Sequence, residues 1–156
     1  MLEFYNGKVN KIYKDLMNGS EISRFELDER NKKCYLGDNN GKIRSYNIIN
    51  GNILKNFKSH NSGIIKIIHC SKNKMLITGS SDLYIRFHSE IDNKDDIYKE
   101  ICALNNSDII LSEKLILKHF IYNENDNMLI MALSKGIISF YDFNYNKFIN
   151  DIFVKN

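Results

Sequence analysis

The sequence has no proline and no tryptophan, and it contains only three cysteines among 156 residues. Because asparagine, isoleucine and lysine are abundant, we interpret the missing proline and tryptophan as codon bias of an AT-rich genome. Cys34, Cys70 and Cys102 are odd in number and far apart, which argues against a disulfide framework and against a zinc knuckle. We therefore expect buried free thiols in a reducing compartment.

Long apolar runs and blocks of one charge are also missing. No run approaches the roughly 20 apolar residues that span a bilayer, and no signal segment opens the chain. The 22 basic residues nearly cancel the 19 acidic ones, which leaves a net charge of +3 without a basic cluster. We expect a soluble, intracellular protein with no membrane partner, and the charge pattern does not indicate nucleic acid.

Motifs for catalysis and cofactor binding are absent as well. The chain has neither a glycine-rich phosphate loop nor a Gly-x-Ser-x-Gly elbow, and its four histidines lack metal-ligand spacing. A calcium loop starting at Asp92 would place Ile97 at the glycine position and Ala103 at the bidentate glutamate position, so the EF-hand match fails. We predict that the protein is not an enzyme and uses no metal or cofactor.

What the sequence does contain is a repeat. An apolar, variable, apolar or small, aromatic pattern recurs with its aromatic-type residue at Tyr5, Tyr46, His88 and Tyr141. The spacings of about 41, 42 and 53 residues are typical of four-stranded propeller blades. The repeat therefore predicts the architecture before any single residue is interpreted.

Short apolar runs separated by Asn, Gly and Asp clusters predict β-strands. Three tight connections inside each repeat predict a four-stranded antiparallel meander. The predicted strands cover 22–27, 33–36, 42–46 and 53–57 in the first full repeat, 64–69, 75–78, 84–88 and 97–103 in the second, and 117–122, 128–133, 137–141 and 147–154 in the third.

The predicted fold class is all-β: a partial β-propeller of three four-stranded blades plus half a blade at the N-terminus. A closed propeller needs about four or more blades. We therefore expect that this chain needs additional blades or a partner chain to close, as a fragment of a larger propeller protein would. The predicted units are a half blade at 1–19, with strands at 2–6 and 8–13, and full blades at 20–60, 61–103 and 104–156.

Residues 35–47 and 76–86 carry a family resemblance. They read YLGDNNGKIRSYN and LITGSSDLYIR, and Ser59 and His60 precede the second of these repeats. The chain resembles WD-repeat proteins, whose propellers serve as interaction scaffolds. It is most similar to axonemal WD-repeat proteins of cilia and flagella, which often carry EF-hands. The segments that carry this closer resemblance are 25–28, 32–33, 50–55 and 85–90, the last running into the acidic residues 92–96.

The resemblance implies a bracing network of a histidine, a serine or threonine, an aspartate and a tryptophan in each repeat. In the second repeat, His60, Thr78 or Ser80, and Asp82 stand at three of these positions. We predict that His60, Thr78, Ser80 and Asp82 brace the repeat, and that His60 and Asp82 do not form a general-base pair.

The sequence departs from the WD pattern at the tryptophan position. His88 stands there in the second repeat, with Tyr46 and Tyr141 at the same place in the others, so another group replaces the indole N–H donor. Asn40 stands where the first repeat would have aspartate. We therefore expect a bracing network in the second repeat and an eroded one elsewhere.

Candidate partner-binding residues flank the tight turns or lie on an insertion at 91–115 between the second and third repeats. Insertions in repeat proteins often form loops on the binding face. A solvated linker and ordinary exposed polar side chains are the alternatives. The candidates are Lys42, Arg44, Lys66, Tyr84 and Arg86 near the turns and strands, and Asp92, Asp95 and Asp96 on the insertion.

We predict a non-catalytic WD-repeat scaffold segment that mediates protein–protein interactions, in the cytoplasm or in a ciliary or flagellar axoneme. One alternative is a scaffold subunit of another cytoplasmic complex, in trafficking, ubiquitin ligation or RNA processing, because the fold hosts all of these. A second alternative is a single-stranded RNA-binding module that stacks bases on its nine Tyr and nine Phe residues. Most of these aromatics sit at alternating strand positions that a core would claim, so nucleic acid is the less favoured partner.

Overall fold

The computed structural model describes residues 11–91, 97–103 and 115–153 of the chain. These residues form twelve strands in three sheets, together with a short 3-10 turn at Ser134–Gly136. The first sheet contains β1 (Ile22–Leu27), β2 (Lys33–Asp38), β3 (Ile43–Asn47) and β4 (Ile53–Phe57); the second contains β5 (Ile64–Cys70), β6 (Met75–Ser80), β7 (Tyr84–Ser89) and β8 (Ile97–Cys102); the third contains β9 (Leu117–Asn123), β10 (Met128–Leu133), β11 (Ile137–Asp142) and β12 (Lys147–Phe153).

Each sheet is an antiparallel meander in which the strands pair in the order in which the chain runs. The predicted all-β class and the three four-stranded antiparallel sheets are confirmed. β2 and β6 continue two residues past their predicted ends, because pairing with the next strand persists up to the turn. The described part of the chain contains no helix that is long and apolar enough to cross a lipid bilayer.

The turn between the second and third strands of each sheet requires a left-handed residue at the same position. Gly41, Leu83 and Gly136 have φ angles of 84°, 72° and 71°. Gly41 also lies against the next connection, since a Cβ there would be 2.5 Å from the carbonyl oxygen of His60. Glycine therefore suits this position on two grounds, and Leu83 adopts a conformation that costs about 1–2 kcal/mol for a side chain with a Cβ.

The sheets pack face to face. A first core joins the first sheet to the second, and a larger one joins the second sheet to the third. Side chains of β1 also reach the backbone of β5: the Ser23 hydroxyl donates to the Ile64 carbonyl at 2.8 Å, and Arg24 Nε donates to the Ile65 carbonyl at 2.6 Å. Because β5 in turn contacts β9, the first strands of the three sheets lie side by side.

A glycine permits the close approach of the second and third sheets. A Cβ built on Gly79 would lie 2.3 Å from Cε1 of Phe120, a contact that real Cβ atoms do not make. Phe120 is buried against this glycine, in a core with Ile77, Phe87 and Met131. Any side chain at position 79 would therefore push the two sheets apart.

The segment before β1 differs from its prediction. Residues 11–13, the described part of the predicted strand 8–13, are not in a β-strand, and the other predicted strand, 2–6, lies outside the described residues. Side chains attach this segment to the first sheet instead: the Tyr13 hydroxyl donates to the Ile48 carbonyl at 2.8 Å, and Met17 is buried beside Leu36 and Tyr46. At residues 11–13 the hydrogen bonds to the first sheet come from the side chains of Lys11 and Tyr13, whereas a strand is held by a backbone ladder.

Candidate functional site

A buried polar network occupies the face of the second sheet that is turned toward the first. His60 reaches it from the connection between β4 and β5, Thr78 from β6 and His88 from β7, and all three side chains are buried. The Thr78 hydroxyl oxygen lies 2.9 Å from His60 Nε2 and 2.8 Å from His88 Nε2. One hydroxyl group thus links a loop and two strands.

The direction of the hydrogen bonds follows from the proton count. Thr78 has a single hydroxyl proton, so it donates to one imidazole and accepts from the other. His60 Nδ1 lies 3.7 Å from Oδ1 of Asp82, which is longer than a hydrogen bond but close enough for the negative charge to favour a proton on Nδ1. His60 Nε2 is then the acceptor for Thr78, and His88 Nε2–H donates to Thr78.

Asp82 anchors the network in the turn between β6 and β7. Its carboxylate accepts hydrogen bonds from the hydroxyl of Ser80 and from the backbone amides of Tyr84 at 3.0 Å and Asn61 at 3.1 Å. Burial on its own would raise the pKa of Asp82, but these hydrogen bonds and the contact with His60 outweigh it and hold the pKa well below its usual range. Asp82 therefore remains ionised.

The structure thus brings the predicted bracing residues His60, Thr78, Ser80 and Asp82 together. The bracing role itself stays a prediction, which the substitutions proposed in the Discussion test. His88 joins them as a donor, because its Nε2–H reaches the Thr78 hydroxyl oxygen. The sequence marked this position without showing that an imidazole could make the bond.

The corresponding positions of the other two sheets lack this network. Thr78 is replaced by Leu36 in the first sheet and by Met131 in the third, at the same distance from the turn. Tyr46 and Tyr141 keep a polar tip, and they donate to the Leu16 carbonyl and to Oδ1 of Asn146, the latter at 2.7 Å. The hydroxyl-centred network is therefore specific to the second sheet.

A second polar cluster joins the first two sheets, and the sequence analysis missed it. Glu90 accepts a hydrogen bond from the Tyr35 hydroxyl, and its other oxygen lies 2.9 Å from His69 Nε2. Lys33 lies 3.8 Å from the same carboxylate, and the rings of Tyr35 and His69 stack at 5.2 Å. Burial and the neighbouring carboxylate raise the pKa of Tyr35. The only sequence signal was His69, a polar residue on β5 at a position that faces the first sheet.

The predicted partner-binding residues fall into different environments. Lys42 and Tyr84 are exposed beside their turns. Lys66 is partly buried and donates to His119 Nε2 at 2.9 Å, 6.0 Å above the ring of Phe120. Burial lowers the pKa of both Lys66 and His119, and the Lys66 charge lowers that of His119 further.

The two arginines on this predicted surface are engaged in internal contacts. Arg86 is only 7% exposed, and its guanidinium donates to Glu100 and to the Ser59 carbonyl. Arg44, at the equivalent position of the first sheet, donates to the Leu16 carbonyl at 3.1 Å. Each arginine thus holds the connection that enters its own sheet, which leaves Arg86 little surface to offer a partner. Asp92, Asp95 and Asp96 lie outside the described residues.

The cysteines are free, and Cys70 is fully buried. Burial, together with the nearby Glu124 carboxylate, raises the pKa of the Cys70 thiol to about 12. No group of three or more His, Cys, Asp or Glu side chains within the described ranges could hold a metal ion.

Comparison with known proteins finds similarity in sequence and in fold. The chain is similar to cilia- and flagella-associated protein 337 B of Tetrahymena thermophila, with 32% identity over 136 residues. The match covers 87% of this chain and 10% of that protein, so the chain spans about a tenth of its curated relative. No protein-family model matches the chain.

The fold is similar to the crystal structure of the computationally designed Ika8 protein, with a TM-score of 0.61. That likeness covers 84% of this chain and 36% of the designed one, at 12% sequence identity. At this identity the likeness concerns the fold alone.

Proposed function

We propose that the three sheets are consecutive blades of a WD-repeat-type propeller, and that the chain is a non-catalytic scaffold segment for protein–protein contacts in a cilium or flagellum. The observation that carries the ciliary placement is the extent of the match to the Tetrahymena protein. It covers 136 of 156 residues, so it extends over all three sheets and is not confined to one turn motif.

Two structural features support the propeller proposal. The first strands of the three sheets lie side by side, as they do around a shared axis in a propeller. The second sheet also hydrogen-bonds a loop histidine, a strand threonine and a third-strand donor to one another, and a turn aspartate lies 3.7 Å from the histidine. A scaffold role fits these features, because the polar side chains of the network contact one another inside the fold.

The ciliary proposal is tested by fractionation of flagellated cells that make the protein. Antibodies raised against this chain are applied to purified axonemes after detergent extraction and to the soluble fraction. We expect the protein to remain with the axonemes and to leave them only in high salt. Recovery in the soluble fraction alone would rule out the axonemal placement and favour another cytoplasmic complex.

A further inference from the structure

An open groove lies between the first strands of the three sheets, and it shares no residue with the polar network of the second sheet. It is lined by residues 24–26 of β1, by residues 65–67 of β5, and by Lys118 and His119 of β9. Its volume is about 350 Å³, at the lower end of the range of about 300–1,000 Å³ that is usual for ligand pockets. Because β5 contacts both β1 and β9, the groove belongs to the middle of the three-sheet array and not to an end face.

The charges of this groove are not balanced. Arg24, Lys66 and Lys118 contribute three cations, one from each of the three strands. Glu26 contributes the single carboxylate among the lining residues. His119 is neutral at about pH 7, because burial and the nearby charge of Lys66 lower its pKa further below the neutral range. The groove therefore carries an excess of positive charge, whereas the rest of the chain is nearly neutral.

Lys66 is positioned in the groove by contacts that supply no full negative charge. Its ammonium group donates to His119 Nε2 at 2.9 Å and lies 6.0 Å from the centre of the Phe120 ring. In the part of the chain that the structure describes, neither Lys66 nor Lys118 forms an ion pair with a carboxylate. Partial burial removes water from the Lys66 ammonium group and lowers its pKa, and the more distant Glu26 offsets this effect only in part. An anion in the groove would supply the missing negative charge.

The lining residues favour carboxylates over nucleic acid. Arg24 donates through Nε to the Ile65 carbonyl and through Nη1 to the Ser23 carbonyl, so its planar fork is engaged and not free to grip a phosphate group. The other two cations are lysines, which act as point charges. Single-stranded RNA would also need successive aromatic rings for its bases, and Phe25 is the single Phe or Tyr among the lining residues. The charge of the groove is therefore complementary to a short acidic peptide segment.

We propose that this groove binds an acidic segment of a partner protein, with Lys66 and Lys118 as the cations that receive its carboxylates. The inference rests on the proposed scaffold function and names the kind of partner that the scaffold holds. It does not depend on the ciliary placement. Lys66 was a candidate from the sequence, whereas Lys118 and Arg24 were not, because only the packing of β1, β5 and β9 brings the three cations to one groove.

The test is the binding of a labelled all-glutamate peptide to the full chain, measured by fluorescence anisotropy against an all-glutamine peptide of the same length. We expect saturable binding of the glutamate peptide that weakens as salt is added, and no binding of the glutamine peptide. Lys66→Met and Lys118→Met should each weaken binding by about threefold to tenfold, and Glu26→Gln should strengthen it by a similar factor. The matched control is Lys42→Met, which removes an exposed lysine beside a turn and leaves the affinity unchanged.

The imidazole of His119 reports whether the peptide occupies the groove. A carboxylate bound beside this ring favours its protonated form, so the pKa of His119, followed by NMR, should rise when the glutamate peptide is added. The charged groups that line the groove with His119 are Arg24, Glu26, Lys66 and Lys118, and none of them changes its charge near neutral pH. A peptide that binds elsewhere on the chain would leave the pKa of His119 unchanged.

Four outcomes would overturn the proposal. They are no binding of the glutamate peptide, an equal loss of affinity in Lys42→Met and Lys66→Met, an unchanged pKa of His119, and tighter binding of a uridine oligonucleotide than of the glutamate peptide. Circular dichroism verifies the fold of each variant, and Lys118 is exposed, so Lys118→Met keeps the test decisive even where Lys66→Met does not fold. None of these outcomes bears on recovery of the protein with axonemes.

Discussion

Replacing Thr78 by valine tests whether one hydroxyl group holds the second sheet's polar network. Valine keeps the shape of threonine but removes the proton donated to His60 and the oxygen that accepts from His88. Both imidazoles are buried, and a buried polar group that loses its partner costs about 1–3 kcal/mol. Two such losses predict a decrease of about 2–6 kcal/mol in the free energy of unfolding. A typical domain has about 5–15 kcal/mol in total, so the effect is easily measured.

The assay is urea unfolding followed by circular dichroism, with two controls. Thr78→Ser keeps the hydroxyl and loses one methyl group, at a cost of about 1 kcal/mol. Ser139→Ala removes another buried hydroxyl, one for which no hydrogen-bond partner exists among the described residues, so a change near zero is expected. If Thr78→Val costs no more than these two controls, the hydroxyl does not organise the network and the reasoning fails.

Three further predictions concern the neighbours of this network. Burial alone would raise the pKa of Asp82, but hydrogen bonds outweigh it and hold the pKa below its unfolded value of about 3.9. The ionised carboxylate therefore stabilises the fold above about pH 4. This stabilisation is lost as the pH falls through the folded pKa. Asp82→Asn should therefore lower the free energy of unfolding at pH 7 by about 1–3 kcal/mol. In acid titrations, the free energy of unfolding of this variant should decrease less below pH 4 than that of the wild type. An acid profile identical to that of the wild type would contradict this. Gly79→Ala should cost about 1–3 kcal/mol in urea unfolding because its Cβ meets Phe120, and adding Phe120→Leu should cost less than the sum of the single changes; additive costs would contradict the clash. Arg86→Met should cost about 1–3 kcal/mol in thermal or urea unfolding, and the exposed control Lys42→Met less than about 0.5 kcal/mol; equal effects would show that the Arg86 contacts do not stabilise the fold.

The strands were predictable because two local signals agreed. Short apolar runs marked β5 and β10, and Asn- or Gly-rich turns marked the ends of their neighbours. The segment 8–13 was predicted as a strand because residues 6–11 resemble residues 50–55, yet its described residues 11–13 are not in a strand. Such a pattern indicates which side chains can face a core, whereas a ladder depends on a partner strand that local sequence does not specify.

The residues that form the candidate site could be predicted from the sequence, but the contacts that their side chains make could not. The resemblance of residues 59–60 and 76–86 to WD repeats implied His60, Thr78 and Asp82 as bracing residues. The burial of Arg86 could not be predicted in this way. An arginine beside a turn is usually solvated, and its burial depends on where the Ser59 carbonyl points, which is a property of the preceding connection.

The same position in the three sheets shows why only one of them carries a polar network. Met131 is buried in the core between the second and third sheets, and Leu36 is buried beside Met17, so an apolar side chain satisfies each of these sites completely. Thr78 instead lies between two imidazoles, where an apolar residue would remove one hydrogen bond from each ring. The fold therefore does not require the network, but once His60 and His88 are present it requires Thr78. The sensitivity to substitution is consequently concentrated in the second sheet, and the Leu36 and Met131 positions should respond only as ordinary core residues do.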